Sequence, residues 1–309
     1  PSFSFTATIT DADGDVDADT HTITITDGAN PQDAATQSVT LDEDDLPDGS
    51  STNVPALTQV ATLAFTAGSD TLGSFVFTGI GGLDTDANDG TAGGTIVWVM
   101  SPGDREIKGY VNGDAMTGQL AITLTLGGAT SIDPNLAGNV TVTVTLADNF
   151  ANIFADNLQT SFDLGSVTVQ GSDGDDTVTG VVNVTVIDDV PSVEIAPAVA
   201  DDTPATDTVA ENGANLSGAI TLVEGADQDA TLVISGTGFA DMSFTLNGAA
   251  DVTLVRTVMN GPDELGVLSV TVNAGGAASW TFNPSLDVAG EPSFSFTATI
   301  TDADGDVDA

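Results

Sequence analysis

The chain has 309 residues, 46 of them acidic and 3 basic, for a formal charge of −43. That balance excludes nucleic acid and anionic membrane as partners, since both are bound through Lys/Arg clusters that displace counterions. It also opposes folding, because self-repulsion on this scale must be offset by bound cations or by salt.

The acidity is mostly Asp; Glu occurs only at positions 43, 106, 194, 211, 224, 264 and 291. Glu is the better helix former, so this choice points to loops and metal sites and away from a solvated helical protein. Hydrophobic residues make up 40% of the chain and the mean hydropathy is +0.16, enough apolar content to fold. With no Cys, disulfides and thiolate–zinc sites are excluded, leaving cation binding as the available cross-link. No signal peptide and no apolar run of membrane-spanning length is visible. Size alone suggests two domains.

Residues 1–18 read PSFSFTATITDADGDVDA, and the same letters return at 292–309. The period is far longer than a solenoid unit, so one period holds whole domains. Along the chain, SFSFTATIT, THTITIT, NVTVTVTL, GVVNVTVI and LSVTVNA alternate apolar residues with Thr, Ser or Asn. Period two without a competing 3.6 period predicts an all-β protein, and β-branched side chains suit the half-buried strands of a sandwich.

The opening segment reads as a strand over 2–10, an acidic loop over 11–19, a strand over 20–26 and the breaker Asp27-Gly28-Ala29-Asn30-Pro31. Residues 1–30 are thus the C-terminal hairpin of a preceding repeat domain plus a linker. A short strand-like run at 38–41 leads into Asp42-Glu43-Asp44-Asp45. The opening plan returns as a strand over 165–170, the loop Ser172-Asp173-Gly174-Asp175-Asp176, a strand over 177–187 and the linker Asp188-Asp189-Val190-Pro191. One large sandwich therefore spans 31–189, with long loops expected near 79–94 and 148–163. A second occupies 190–309, with a strand-like run at 207–210 before Glu211-Asn212. It ends in the third hairpin, a strand over 293–301 and its loop at 302–308, and is one strand short. Trp98, Trp280 and Tyr110 are spread singly and read as core fillers.

Carboxylates at alternate positions around a Gly place hard oxygens on a tight turn, and calcium takes roughly six to eight such oxygens at about 2.3–2.6 Å. Because antiparallel neighbours reverse direction, the loop before each last strand faces the linker that precedes its sandwich. Asp173, Asp175 and Asp176 then face Asp27 and Asn30, while Asp302, Asp304 and Asp306 face Asp188 and Asp189. Asp11, Asp13 and Asp15 form the same loop in the opening copy. Asp and Gly are also good turn formers on a solvated rim, but three loops and two linkers repeating one plan favour metal. Glu43 and Glu211 follow their linkers at similar intervals; each either ligates an ion at a domain pole or stands exposed beside a turn.

These segments, TITDADGD, VTVIDDVPSV, SVTLDEDDLPDG and TVAENGA, resemble the Ig-like or cadherin-like extender repeats of large RTX adhesins, biofilm-associated surface proteins exported by type I secretion. The resemblance implies tandem Ig-like β-sandwiches in a linear array, extracellular, with Ca2+ at the junctions and the loop and linker Asp residues as ligands. Two unlike domains in one period depart from a one-domain template. Residues 171–178 also resemble one RTX nonapeptide, but a β-roll needs several stacked copies, so a hairpin loop is the expectation.

No enzyme is expected. His21 is the single His, and the chain has no Gly-x-Ser-x-Gly elbow, phosphate loop or His-bearing zinc motif. Paired carboxylates abound, but a glycosidase cleft needs aromatic walls that this composition lacks. Arg105, Lys108 and Arg256 are isolated and expected to pair with local carboxylates. The leading function is a calcium-stiffened extender of a repetitive adhesin or surface filament, holding a distal binding region away from the cell. The alternative is a glycan- or protein-binding module using the long loops of the larger domain. The partners expected are adjacent repeats, with strand addition between chains as a further route.

Overall fold

The computed structural model describes residues 1–50, 57–85, 95–150, 161–198, 207–303 and 305–309. Threonine and valine alternate along most strands, and the alternation becomes an inside and an outside. In AGNVTVTVTL the residues Val140, Val142 and Val144 are fully buried while the Thr residues between them face outward. The described residues contain strands and one 3₁₀ turn, with no α-helix; none of their helices is long and apolar enough to cross a membrane.

β1 (Ser2–Thr10) and β2 (Val16–Thr24) form a two-stranded sheet of their own. β2 starts earlier than the sequence predicts, because Asp17 and Asp19 sit on an exposed strand where carboxylates are tolerated. The acidic turn is therefore only residues 11–15.

The first sandwich comprises β3 (Gln37–Asp42), β4 (Thr58–Thr66), β5 (Leu72–Phe77), β6 (Val97–Met100), β7 (Glu106–Val111), β8 (Gln119–Gly128), β9 (Ser131–Ile132), β10 (Ala137–Leu146), β11 (Ser161–Ser172) and β12 (Thr177–Ile187). Its sheets run in the order β4-β10-β8-β7-β6 and β3-β12-β11-β5-β9. Between them lies one core in which Phe65 and Phe75 meet with ring centroids 5.2 Å apart. Trp98 is buried there and donates its indole N–H to the Asp84 carbonyl. Of the two long loops the sequence predicts, residues 86–94 and 151–160 lie outside the described residues.

The second sandwich comprises β13 (Ser192–Ile195), β14 (Leu216–Val223), β15 (Thr231–Gly236), β16 (Met242–Thr245), β17 (Val252–Asn260), β18 (Asp263–Val272), β19 (Ala278–Pro284), β20 (Phe296–Thr301) and β21 (Val307–Asp308). Sheets β13-β14-β19-β18-β17 and β16-β15-β20-β21 enclose a separate core around Trp280 and Phe282. Residues 207–210, read as strand-like in the sequence, belong to no strand.

Two features of the topology position the site. β3 runs parallel to β12 with Asp42 opposite Ile187, so the residues that follow, Glu43 and Asp188, emerge side by side at one pole. In the second sandwich, β14 ends at Val223 opposite Ser192, and β15 begins at Thr231 opposite Thr301. The β14–β15 loop and the acidic loop after β20 therefore lie at the pole next to the linker. Ala226, from that β14–β15 loop, packs into the core of the first sandwich.

Candidate metal centre

Two of the three acidic loops build the same turn from local chemistry alone, and the third closes one residue tighter. Asp11 Oδ1 accepts the N–H groups of Gly14 (3.1 Å) and Asp15 (3.0 Å), and Asp302 Oδ1 accepts those of Gly305 (3.0 Å) and Asp306 (2.8 Å). In the third, Asp173 Oδ1 accepts from Asp176 at 2.8 Å. Gly14, Gly174 and Gly305 all adopt positive φ, 101°, 116° and 112°, which glycine permits without strain. The first Asp of each loop is thus a turn former, and hydrogen bonding to Asp13 and to the turn's N–H groups holds Asp11 below its usual range.

Identical sequence does not give identical surroundings. Asp11, Asp13 and Asp15 come together but are exposed, whereas Asp302 and Asp306 are buried. Asp304 lies outside the described residues. At the other pole of the first sandwich, the charges of Asp27 and then Asp173 push the Asp175 carboxyl up, so linker and loop approach one another there. Asn30 is exposed on the same linker, which is tied down where the Ser69 N–H donates to the Ala29 carbonyl at 2.8 Å.

The tightest acidic cluster is at the linker between the sandwiches. Glu43, Asp188 and Asp227 are 0, 0 and 3% exposed, and each offers a carboxylate oxygen within 4.8 Å of the other two. Glu43 Oε1 accepts the Phe150 N–H at 2.6 Å, and Asp227 Oδ1 accepts from the Asn149 side chain. Their second oxygens, with Asp188 Oδ2, are shut off from solvent. Oxygens about 2.3–2.6 Å from one calcium ion can stand no more than roughly 5 Å apart, so the trio matches one coordination sphere. The cluster offers carboxylate oxygen alone, the donor set of hard cations such as magnesium, calcium or manganese.

Asp189, also fully buried, has a different task from its neighbour. Its oxygens accept from the Ser50 N–H (2.7 Å), the Ser50 hydroxyl and the Ala226 N–H (2.9 Å). It clips a loop of the first sandwich to one of the second. Gln228 adds a longer bond to the Asp48 carbonyl at 3.4 Å. Glu211 lies at the opposite pole of the second sandwich, where it accepts the Val288 N–H at 2.9 Å.

Asp227 is the residue that sequence reasoning missed. Its signal is the turn Glu224-Gly225-Ala226-Asp227-Gln228-Asp229, acidic and Gly-containing before an alternating strand. Only the pairing of β14 and β15 brings that turn to the linker.

Electrostatics sharpen the case. At an effective dielectric of ~20, two carboxylates about 5 Å apart repel by roughly 3 kcal/mol, so three ionised groups approach the entire stability of an ordinary domain, on the order of 5–15 kcal/mol. Every basic side chain is occupied elsewhere. Lys108 pairs with Glu106 at 2.9 Å, as the sequence leads one to expect. Arg105 and Arg256 depart from that expectation: Arg105 donates to the Phe75 and Leu126 carbonyls, and Arg256 to those of Ala240, Val255 and Asp241. Burial pushes the Asp42 carboxyl, beside Glu43, up to about 6, helped by the charge of Asp44. Burial likewise raises Asp148 and Asp189.

These shifts fix a sign. A carboxyl raised in the folded state contributes stability that is full below its unfolded value and lost as pH rises through the folded one. In chelator, therefore, the unfolding midpoint rises as pH falls from 7 toward 4. In millimolar calcium the same acidification protonates ligands and lowers the calcium-dependent part of the midpoint. Calorimetry in which the difference between the two buffers stays constant or grows from pH 7 to pH 4 would contradict this.

No protein-family model and no curated protein matches the chain.

Proposed function

We propose that this chain is a calcium-stiffened extender segment of a repetitive extracellular bacterial adhesin or surface filament, spacing a distal binding region from the cell. The observation that carries the reading is the buried trio of Glu43 from the first sandwich, Asp188 from the linker and Asp227 from the second. One divalent ion held by all three ties both bodies and the hinge between them at a single point. Asp189 seats the same loops with neutral donors and needs no metal. Without the ion, the carboxylates repel across the junction and the two bodies separate. In a low-calcium cytosol that repulsion keeps the segment loose enough for export, and calcium outside supplies folding free energy by binding the native state alone.

Small-angle scattering at low ionic strength tests the mechanical part. In millimolar calcium the two sandwiches scatter as one rigid body; in chelator the radius of gyration grows and the curve takes the form of bodies moving independently. Superimposable curves in the two buffers would remove the stiffening role.

A further inference from the structure

The loop that carries Asp227 is braced by the turn that follows β16. β15 and β16 pair with Thr231 opposite Thr245, so residues 246–248 emerge beside residues 224–230, which join β14 to β15. The Leu246 N–H donates to the Ala230 carbonyl at 2.9 Å and fixes the backbone at the base of that loop. Asn247 then takes a left-handed conformation, φ 59°, which Asn and Asp tolerate better than other side chains.

The Asn247 side-chain amide reaches both ends of the loop. It donates to Glu224 Oε2 at 3.0 Å and to Gln228 Oε1 at 3.3 Å, and Glu224 Oε2 also accepts the Ala230 N–H at 3.2 Å. Between those two anchors lie Ala226, whose N–H donates to Asp189 at 2.9 Å, and Asp227 of the buried trio. The bond to Gln228 also settles which way its amide faces. With the oxygen turned to Asn247, the nitrogen donates to the Gly225 carbonyl at 2.7 Å and to the Asp48 carbonyl of the first sandwich at 3.4 Å. Burial pushes the Glu224 carboxyl up and the charge of Asp229 adds to the rise, while the Ala230 and Asn247 donors oppose it.

We propose that Asn247 is a positioning residue for the metal centre, a role that rests on reading Glu43, Asp188 and Asp227 as an ion site. By donating to Glu224 and Gln228 at once, it holds Asp227 at the distance from Glu43 and Asp188 that a shared ion requires. Asn247 is itself exposed and stands outside the trio.

Asn247→Asp separates position from charge. Asp keeps the shape and the left-handed backbone but sets oxygens against Glu224 Oε2 and Gln228 Oε1. The two ends of the loop part, and Gln228 turns its nitrogen toward residue 247 and away from Asp48. An added carboxylate near bound calcium attracts it, so charge alone would tighten binding. Weaker binding is the mark of lost position.

Calorimetric titration of the full chain with calcium chloride reads the effect, the trio's binding event being the one that D227N abolishes. N247D weakens that event roughly tenfold, the size expected when a hydrogen bond to a charged group gives way to repulsion. Combining N247D with E224Q returns a donor to the pair and restores the parent's net charge, and it recovers most of the affinity. An unchanged or tighter event in N247D, or a double variant that binds no better than N247D, would overturn the positioning role and leave the ion site standing. A D227N titration identical to the parent's would overturn both.

Discussion

Chelation at low ionic strength lowers the unfolding midpoint by roughly 8–16 °C relative to saturating calcium. The size follows from linkage: a ligand present at about a thousand times its dissociation constant stabilises the native state by ~4 kcal/mol, and for bodies of this size each kcal/mol moves the midpoint by about 2–4 °C. Sodium chloride does not substitute. At about 1 M salt the screening length shrinks to ~3 Å, yet buried charges are screened far less than exposed ones, and Glu43 and Asp188 have no exposed surface. Differential scanning calorimetry in calcium, chelator, and chelator with added NaCl separates a specific ion from general charge screening. Full recovery of the midpoint by NaCl would replace the metal centre with simple halophilic adaptation.

Asp227→Asn and Asp189→Ala change neighbouring buried carboxylates and are expected to act in opposite ways. The Asn side chain keeps the shape at 227 and removes one of three clustered charges. In calcium the variant loses the calcium-dependent increment. In chelator its junction opens less readily than the parent's, because one of the charges that repel across it is gone. Asp189→Ala strips the acceptor from the Ser50 and Ala226 donors, and a buried donor left without a partner costs about 1–3 kcal/mol. That loss is felt in full in calcium, where the junction is closed, and shrinks in chelator, which has already opened the junction that Asp189 clips. Unfolding both variants in denaturant, in each buffer, gives four numbers. Equal losses in all four, or an Asp227→Asn chain that keeps its full calcium increment, would show that the trio holds no ion.

Between the two sandwiches, the unlike fates of Glu43 and Glu211 show where reading the letters stops. Both follow a linker and both precede a polar turn, so the sequence treats them alike. β3 pairs in parallel with β12 and delivers Glu43 to the side of Asp188, but residues 207–210 form no strand and Glu211 ends beside Val288. The difference lies in which backbone a short segment finds to pair with, a long-range event that local letters do not encode.

What the sequence determined by itself was local or periodic. Alternating Thr and Val set the all-β class and which face of β10 and β12 turns inward, because side chains in a strand alternate with period two. The DADGD letters set their own turn, the same in both copies, since its bonds close within five residues. Only the tertiary structure decided that one copy is bare and the other buried, that Asp188 joins a cluster while Asp189 clips two loops together, and that Asp227 belongs to the centre at all. The clustering of Glu43, Asp188 and Asp227 depends on strands far apart in the chain meeting at one pole, where carboxylates that the sequence leaves scattered are buried together.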